Sequence, residues 1–314
     1  MFAILFAELC FVPSRQFIFH ERSLGRALAT CIACSRMGHR VSKRHRVAPD
    51  SLPPIPTGGD GCASLRIARR FPICHNSSGM CGRYRLSRRK QIIEEQFDTA
   101  DWQDDWSPRY NIAPTQPIPV IRQHPREPVR QISAMRWGLV PSWAKDTSGA
   151  ARMINARSAT AATKPAFRDP LKYRRCLIPA DAFYEWKRNG TSKQPYCFEV
   201  NNGQLFAFAG LWDGWKDASG NWIKTCSILT TTPNLVTATV HDRMPVILPK
   251  EDYDVWLDPG MQNVAAISEM LKPYDASQMR CYPVSTRINS VVNDDAACSA
   301  PVELAQIQDR LFSS

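Results

Sequence analysis

The segment "GMCGRYRL" at residues 79–86 contains the side chain with the most distinctive chemistry, Cys81. If the working chain starts at Met80 and this methionine is removed, Cys81 becomes N-terminal and carries an α-amine and a thiol on adjacent carbons. A primary amine condenses with an aldehyde to a Schiff base, and the neighbouring thiol can close on the imine carbon to give a five-membered thiazolidine. Both groups are partly available at neutral pH, since an N-terminal amine has a pKa of about 7.7–8.0 and a thiol of about 8.5. An internal Cys81 retains only the thiol.

Three further side chains could support chemistry at such a thiol. Asn155 lies in "MINARSAT", Glu185 in the aromatic segment "DAFYEWK", and His241 in "TVHDRMPVIL". A thiol, an imidazole, a carboxylate and an amide are the groups that an activated thiol site requires. Structural interpretations remain open as well: a small buried cysteine, a turn-forming asparagine, a glutamate at the rim of a sheet and a histidine that caps a helix.

Charge and aromatic content change abruptly near residue 80. The 314 residues have a formal net charge of +11, of which residues 1–79 contribute +7 from 11 Lys and Arg against 4 Asp and Glu. All nine Trp and all eight Tyr follow residue 80. A segment of this composition cannot bury enough apolar surface to offset its chain entropy. We therefore expect a single domain over residues 80–310 and a disordered extension over residues 1–79.

The origin of residues 1–79 has three explanations that the sequence leaves open. They are a start codon placed too far upstream, processing that exposes Cys81, and a catalytically altered protein. The Arg- and Ser-rich, acid-poor composition within residues 1–46 is also similar to an organelle-targeting segment. The compositional break favours an active chain that begins at Cys81 after removal of Met80.

The cysteines and hydropathy indicate the compartment and the absence of a metal centre. Cys31 and Cys34, near His39 and His45, superficially resemble a zinc ligand set, but no second CxxC motif accompanies them. We predict neither a metal nor another cofactor. Six later cysteines are isolated in apolar runs, as reduced core thiols are, which predicts an intracellular protein of the cytoplasm, nucleoid or nucleus. No run of about 18 apolar residues occurs, so we expect no membrane span.

The elements after residue 80 predict an α+β fold with a mostly antiparallel, curved or barrel-like β-sheet core and a few flanking helices. Strand character, rich in β-branched and aromatic residues, occurs at 117–122, 129–137, 174–186, 195–200, 204–212 and 224–231. "NNG" at 201–203 predicts a hairpin turn. Helices are expected in "SRRKQIIEEQF" with Ser87 as the cap, in "KEDYDVWLD" and in "NVAAISEMLK".

Eight motifs together resemble one known family. They are "MCGRY" at 80–84, "PRYNIAPTQ" at 108–116, "RWGLVPSWA" at 136–144, "INARSATAA" at 154–162, "CLIPADAFYEWK" at 176–187, "QPYCF" at 194–198, "FAGLW" at 208–212 and "HDRMPVIL" at 241–248. Their order is that of the SOS response-associated peptidase (SRAP) family, whose members crosslink to abasic sites in single-stranded DNA. The resemblance runs from Met80 to about Asn293 and leaves residues 1–79 outside.

The resemblance implies a role for each matching residue. Cys81 corresponds to the family's nucleophile, Glu185 to a proton shuttle and His241 to an acid–base or phosphate-holding group, while Asn155 would fix the amine or thiol by hydrogen bonds. The remaining residues correspond to DNA contacts: Arg83, Arg157 and Arg243 to the backbone, Trp137, Trp143 and Trp186 to aromatic surfaces around the lesion, and Asn111 and Pro114 to a wedge beside a neighbouring duplex.

Three functions follow as hypotheses. The first, which we favour, is a monomeric sensor that traps abasic sites in single-stranded DNA, including at junctions with duplex, as a thiazolidine crosslink with lyase or self-reversal activity. The second is a thiol peptidase with Cys81 as nucleophile and His241 as base, able to release its own leader. The third is a non-catalytic reader of single-stranded or modified DNA. Basic clusters among nine Trp are consistent with single-strand binding that weakens with salt.

Overall fold

A computed structural model describes residues 81–100, 102–124 and 127–303. The interpretations of residues 1–79, including the Cys31 and Cys34 pair and the targeting segment, lie outside the described residues, as do residues 304–310 of the expected domain. Within those described ranges, no helix is both long and apolar enough to cross a bilayer.

Strands predominate and helices are short. The strands are β1 (Tyr84–Leu86), β2 (Thr99–Ala100), β3 (Arg109–Ile112), β4 (Pro117–Gln123), β5 (Arg130–Trp137), β6 (Asn155–Arg157), β7 (Arg175–Ala180), β8 (Ala182–Asn189), β9 (Ser192–Val200), β10 (Phe206–Lys216), β11 (Trp222–Thr231), β12 (Met244–Pro245), β13 (Ile247–Leu248) and β14 (Met279–Pro283). The helices are α1 (Lys90–Phe97), α2 (Ser158–Ala161), α3 (Arg168–Tyr173), α4 (Tyr253–Leu257) and α5 (Val264–Glu269). This confirms the expected α+β class.

Five strands close into a barrel in the order β11, β10, β7, β4, β5. Four of the contacts are antiparallel, and the fifth is the parallel pairing of β5 with β11, where Arg136 lies beside Thr225. Closure satisfies the backbone groups that an open edge would expose. Further short strands extend the sheet: β6 and β12 pair with β11, β13 with β10 and β2 with β5.

A second sheet, in the order β14, β9, β8, β1, β3, is antiparallel throughout. The side chains on its two faces pack into two different hydrophobic cores. Tyr84 faces the barrel, with its ring 5.5 Å from Trp137 and 5.8 Å from Phe208 in edge-on contacts. Tyr184 packs on the opposite side, in a smaller cluster with Ile288. Because β1 lies between β8 and β3, the residues that precede it are placed close to β8.

Buried charges hold β1 in place. The Arg85 guanidinium donates to Asp181 Oδ1 at 2.5 Å and to Glu199 Oε1 at 2.8 Å. Burial acts to raise the pKa of Glu199, but hydrogen bonds from Arg280, Tyr282 and Arg85 outweigh it and lower that pKa. Since removing one partner of a buried ion pair leaves the other uncompensated, this network ties β1 to its neighbours.

The helix cap prediction was wrong. The first helix begins at Lys90 with Arg89 at its N-cap, and no side chain caps it. Ser87 instead donates from both its backbone N–H and its hydroxyl to Asp181 Oδ2, each at 2.7 Å. A buried carboxylate requires donors, and Asp181 therefore recruits the serine that would otherwise cap the helix.

Two strand predictions change in the structure. The single strand expected at 174–186 is two, because the chain passes from the barrel to the second sheet at Asp181, between β7 and β8. The "NNG" segment is a turn, with positive φ at Asn201, Asn202 and Gly203. It is not a hairpin, because it joins β9 of one sheet to β10 of the other.

We predict that Gly210→Ala destabilises the fold by about 1–3 kcal/mol through overpacking. A Cβ at Gly210 would lie 2.8 Å from Cys176 Sγ and 2.9 Å from Ile178 Cδ1 in the barrel core. Gly214→Ala is the matched control on the same strand, since its nearest neighbours would be Trp222 ring atoms at 3.4 and 3.5 Å, an ordinary contact. Urea unfolding of both variants measures the difference; equal midpoints would contradict the prediction.

Candidate active site

Cys81 and Glu185 meet in the interior. The Tyr184 N–H donates to the Arg83 carbonyl, and Tyr84 pairs with Phe183, so the chain just before β1 runs beside β8. The Cys81 backbone nitrogen donates to Glu185 Oε1 at 2.5 Å. Both residues are buried, and Cys81 has a φ of 40°, in the left-handed region that non-glycine residues seldom adopt. This geometry directs the nitrogen, rather than the sulfur, at the carboxyl group.

The Glu185 carboxyl group can exchange protons near neutral pH. Burial raises the pKa of Glu185 to about 8, against the lowering effects of the Cys81 N–H and Arg243, and Asp242 adds to the rise. A group whose pKa lies near the working pH is suited to both general acid and general base catalysis.

The Cys81 thiol is not an activated thiolate. Burial raises its pKa well above the ordinary value, and the nearby Glu185 raises it further. In the part of the chain that the structure describes, no hydrogen bond joins the thiol to the His241 ring. A cysteine peptidase lowers the pKa of its nucleophile with an imidazolium or another cation, so the environment of Cys81 differs from that arrangement.

Asn155 lies on β6, which pairs with β11 so that Asn155 is opposite Ile228. Its amide nitrogen Nδ2 is buried and has no hydrogen-bond partner. An unsatisfied buried donor costs about 1–3 kcal/mol, so a ligand or water that entered the site and accepted from this nitrogen would be stabilised.

His241 follows a 3₁₀ turn at Thr237–Thr239 and is half-buried. Its Nδ1 accepts a hydrogen bond from the Arg243 N–H at 3.2 Å and lies 2.8 Å from Asp242 Oδ1. Burial lowers the pKa of His241; Asp242 opposes this, while Arg243 and Arg188 add to it. The site therefore favours the neutral ring more than water does, and because Nδ1 is engaged with Asp242 and Arg243, Nε2 is the ring nitrogen that remains for a ligand.

Two arginines approach the site from either side of β11. Arg157 on β6 pairs with Thr230, and β12, which follows Arg243, pairs with Thr230 and Thr231. The pKa of Arg243 is lowered by burial and then by Arg157, while Asp242 and Glu185 act to raise it. An anion bound beside Arg243 and Arg157 would offset the repulsion that Arg157 exerts on Arg243, and a phosphodiester has the required charge.

Two of the residues expected to contact DNA have structural partners instead. Asn111 is buried, and its Nδ2 donates to the carbonyl oxygens of Ile288, Ser290 and Asn293. This corrects its expected role in a wedge, because its side chain offers no surface. Arg83 donates from Nη1 to Asn111 Oδ1 at 2.7 Å and to the Ile288 carbonyl at 2.6 Å. These bonds tie the loop at 288–293 to the residues beside Cys81.

The three tryptophans occupy different environments. Trp137 is fully buried and donates from Nε1 to the Ile154 carbonyl, so its ring belongs to the barrel core, which corrects the expected lesion contact. Trp143 is 65% exposed. Trp186 is half-buried and donates to Asn289 Oδ1 at 2.7 Å. Pro114, also half-buried, precedes the strained Thr115, whose φ is 70°.

Asp242, for which the sequence predicted no separate role, acts on the pKa values of both Glu185 and His241. The only signal for it was its place within "HDRMP". Within the described ranges, no group of three His, Cys, Asp or Glu side chains could hold a metal ion.

The structure thus combines a five-stranded barrel with a second sheet beside it. At the site, a cysteine nitrogen donates to a buried carboxyl group, and two arginines lie nearby. The family model described as SOS response associated peptidase (SRAP) matches residues 80–291. The chain belongs to the SRAP family.

Named relatives and solved structures agree with this membership. The chain is 43% identical over 218 residues to the abasic site processing protein YoqW of Bacillus subtilis, covering 68% of this chain and 96% of that one. It is 32% identical to the abasic site processing protein HMCES of Gallus gallus, covering 63% and 68%. A crystal structure of a Bacteroides thetaiotaomicron protein, 28% identical, superposes with a TM-score of 0.64 over 71% of this chain and 100% of that chain.

We predict that Glu185→Gln changes how stability depends on pH. The pKa of about 8 in the folded state exceeds the ordinary 4.5, so the folded protein binds more protons between these values. The free energy of unfolding therefore falls as pH rises from about 5 to 8, by up to roughly 5 kcal/mol from this group. Glu185→Gln should lose that slope in urea unfolding at several pH values.

Glu251→Gln, which removes an exposed carboxylate, is the control and should keep the wild-type slope. Equal slopes for wild type and Glu185→Gln would show that Glu185 titrates normally.

Proposed function

We propose that the protein processes abasic sites in single-stranded DNA by forming a thiazolidine crosslink through Cys81 as the N-terminal residue. The observation that carries this proposal is the 2.5 Å contact between the Cys81 nitrogen and a buried Glu185 carboxyl whose pKa is about 8. Two relatives from distant organisms, YoqW and HMCES, are named abasic site processing proteins. We propose that the protein acts inside the cell, in the compartment that holds its DNA.

Glu185 would prepare the amine. An α-ammonium at the Cys81 nitrogen position would face the carboxylate in a site removed from water, where a neutral amine and a neutral acid are favoured over a charged pair. Proton transfer from nitrogen to Glu185 then leaves the nitrogen lone pair available. A primary amine of an ordinary lysine, with a pKa of about 10.4, would be far less ready to react.

The reaction balances without a cofactor. The amine nitrogen attacks the aldehyde carbon of the open deoxyribose, and the carbinolamine loses its oxygen as water with the proton held by Glu185. The Cys81 sulfur then adds to the imine carbon, and the thiol proton passes to the nitrogen. The product is a five-membered ring in which the former aldehyde carbon has gained one new C–N bond and one new C–S bond, and one water is released.

Neighbouring groups have roles consistent with this sequence. The unpartnered Asn155 Nδ2 would donate to the sugar or hold the amine. Arg157 and Arg243 would bind phosphates on either side of the abasic sugar. His241 would hold a phosphate oxygen or assist ring opening during reversal.

The proposed reaction requires a free α-amine on Cys81, so it depends on where the active chain begins. The family model begins to match at residue 80, and the compositional break lies at the same place. We propose that the active form begins at Cys81. With a peptide bond to Met80 in place, the nitrogen is an amide and cannot form the imine, so only thiol chemistry would remain.

The peptidase hypothesis has one feature in its favour, the description of the family. The raised pKa of the Cys81 thiol counts against it. Its distinguishing outcome is cleavage of peptide bonds, including release of the leader, without a DNA adduct. A passive DNA reader would bind whether or not Cys81 is present.

We expect only the form that begins at Cys81 to give a DNA adduct that survives denaturing gels. The chain beginning at Met1 and the chain beginning at Cys81 are each incubated with single-stranded DNA that contains one abasic site. Intact mass should equal protein plus DNA minus one water. An adduct from the Met1 form, with its leader lost by mass, would indicate self-processing, and no adduct from either form would refute the proposal.

Substitutions in the Cys81-started chain separate the steps. Cys81→Ser retains the α-amine, so it should form an imine that borohydride traps but no stable adduct without reductant. Glu185→Gln should slow adduct formation by about 10²–10⁴-fold, the usual contribution of a general acid–base group. A stable Cys81→Ser adduct without reductant would show that the sulfur is not part of the ring.

A further inference from the structure

The β10–β11 hairpin continues beyond the strands that flank it. β7 pairs with β10 only as far as Leu211, whereas the hairpin pairing extends to Lys216 opposite Trp222. Trp222 is 65% exposed. Its ring lies against Gly214, since a Cβ at that glycine would be 3.4 and 3.5 Å from two ring carbons. The indole is thus supported by backbone on one side while most of its surface faces solvent.

Three cations lie along this part of the sheet. The Lys216 Nζ lies 5.9 Å from the Trp222 ring centroid, and the exposed Lys224 is opposite Gly214 on the adjoining strand. Arg122 on β4 lies 5.0 Å from the Trp212 ring centroid. We call Arg122, Lys216, Trp222 and Lys224 the hairpin strip.

The hairpin strip contains three cationic side chains and no acidic side chain to balance them. The Arg122 Nε is buried and has no hydrogen-bond partner. Burial and the neighbouring Arg122 both lower the pKa of Lys224, with Asp104 opposing them. An anion that entered this region would satisfy the guanidinium and relieve the repulsion between the two cations.

The nearby carboxylates already have partners. Asp217 accepts hydrogen bonds from the backbone of Ser219 and Asn221 in the hairpin turn. Asp104 accepts from the Trp102 indole and the Ala134 N–H. These bonds hold Asp217 within its own turn and Asp104 against Trp102 and β5, and the effect of Asp104 on Lys224 is smaller than the combined effects of burial and Arg122.

We propose that the hairpin strip is a second contact for single-stranded DNA, with one base stacked on Trp222 and flanking phosphates held by Lys216, Lys224 and Arg122. A supported aromatic face among cations is the arrangement by which proteins bind single strands without sequence preference. The choice of DNA as the ligand rests on the proposed function.

The position of the hairpin strip sets the length of DNA required. Trp222 lies six residues before Ile228 on β11, which is about 20 Å at ~3.3 Å per residue, and Ile228 is opposite Asn155. A single strand that reached both places would have to span this distance of about 20 Å, which is several nucleotides from the abasic site. The same strand therefore carries the reactive site near one end and the hairpin strip at the other.

The test measures reversible binding of the full chain to 25-nucleotide single strands by fluorescence anisotropy. The strands carry a tetrahydrofuran analogue of the abasic site, which has no aldehyde and cannot crosslink. The analogue is the second nucleotide from the 5′ end in one strand and the second from the 3′ end in the other, so that only the long arm can span about 20 Å and it leaves the site in opposite directions.

We expect Lys216→Gln combined with Lys224→Gln to reduce the slope of log K against log salt by about 1.4, since each phosphate contact on single-stranded DNA contributes about 0.7. The reduction should occur for only one of the two strands. Trp222→Ala should weaken binding of that strand about tenfold, and Trp222→Phe should retain most of the affinity. Lys250→Gln is the matched control, because this exposed lysine follows β13, which pairs with the opposite end of β10.

An unchanged slope for both strands would overturn the proposal, and so would an equal loss for both, because non-specific charge would explain it. The crosslinking assay reports separately on Cys81. Normal crosslinking with an unchanged salt slope would refute only the proposal that the hairpin strip binds DNA. A reduction of the salt slope for one DNA strand, without any crosslinking, would support that proposal and refute the proposed crosslinking reaction.

Discussion

A buried carboxyl group beside the Cys81 nitrogen is the constraint on which the site depends. Burial raises the pKa of Glu185 to about 8, so the group changes its protonation where a reacting amine also does. A solvated glutamate would remain ionised and could not give a proton at neutral pH. The two residues are brought together because β1 lies next to β8, and the salt bridge from Arg85 to Asp181 holds that pairing from the other face of the sheet.

Closure of the barrel positions the remaining groups. Once β5 pairs with β11, the free edge of β11 beyond it accepts β6, and the opposite edge accepts β12. Asn155 and Arg157 arrive on the first of these strands, and Arg243 immediately before the second. Arg243 therefore acts on Glu185, and Arg157, almost 90 positions earlier in the chain, acts on Arg243. Flexible loops could not hold these groups at comparable precision.

Several polar residues near the site act on the protein itself. Asn111 uses both ends of its amide, accepting from Arg83 and donating to three carbonyl groups of the loop at 288–293. Asp294 accepts from the backbone N–H groups of Tyr110 and Asn111, and it pairs with Arg109. Because Arg83 is two residues from Cys81, this loop stabilises the backbone on which Cys81 lies, and it is distant in sequence from both.

The sequence by itself determined the class of fold, the family and the reactive residue types. Alternating apolar residues and turn residues predict strands such as β4, β5 and β11. The motifs "MCGRY" and "HDRMP" contain residue types that can support catalysis, and they are recognisable without knowledge of the fold. Tertiary structure decided which side chains are exposed and what they bond. Local pattern could not distinguish Trp137, buried in the barrel, from Trp143 on the surface, or show that Ser87 serves Asp181 rather than a helix. It also could not give the pKa of Glu185. Burial and long-range hydrogen bonds arise only when distant segments meet, because they are properties of the packed chain and not of neighbouring residues.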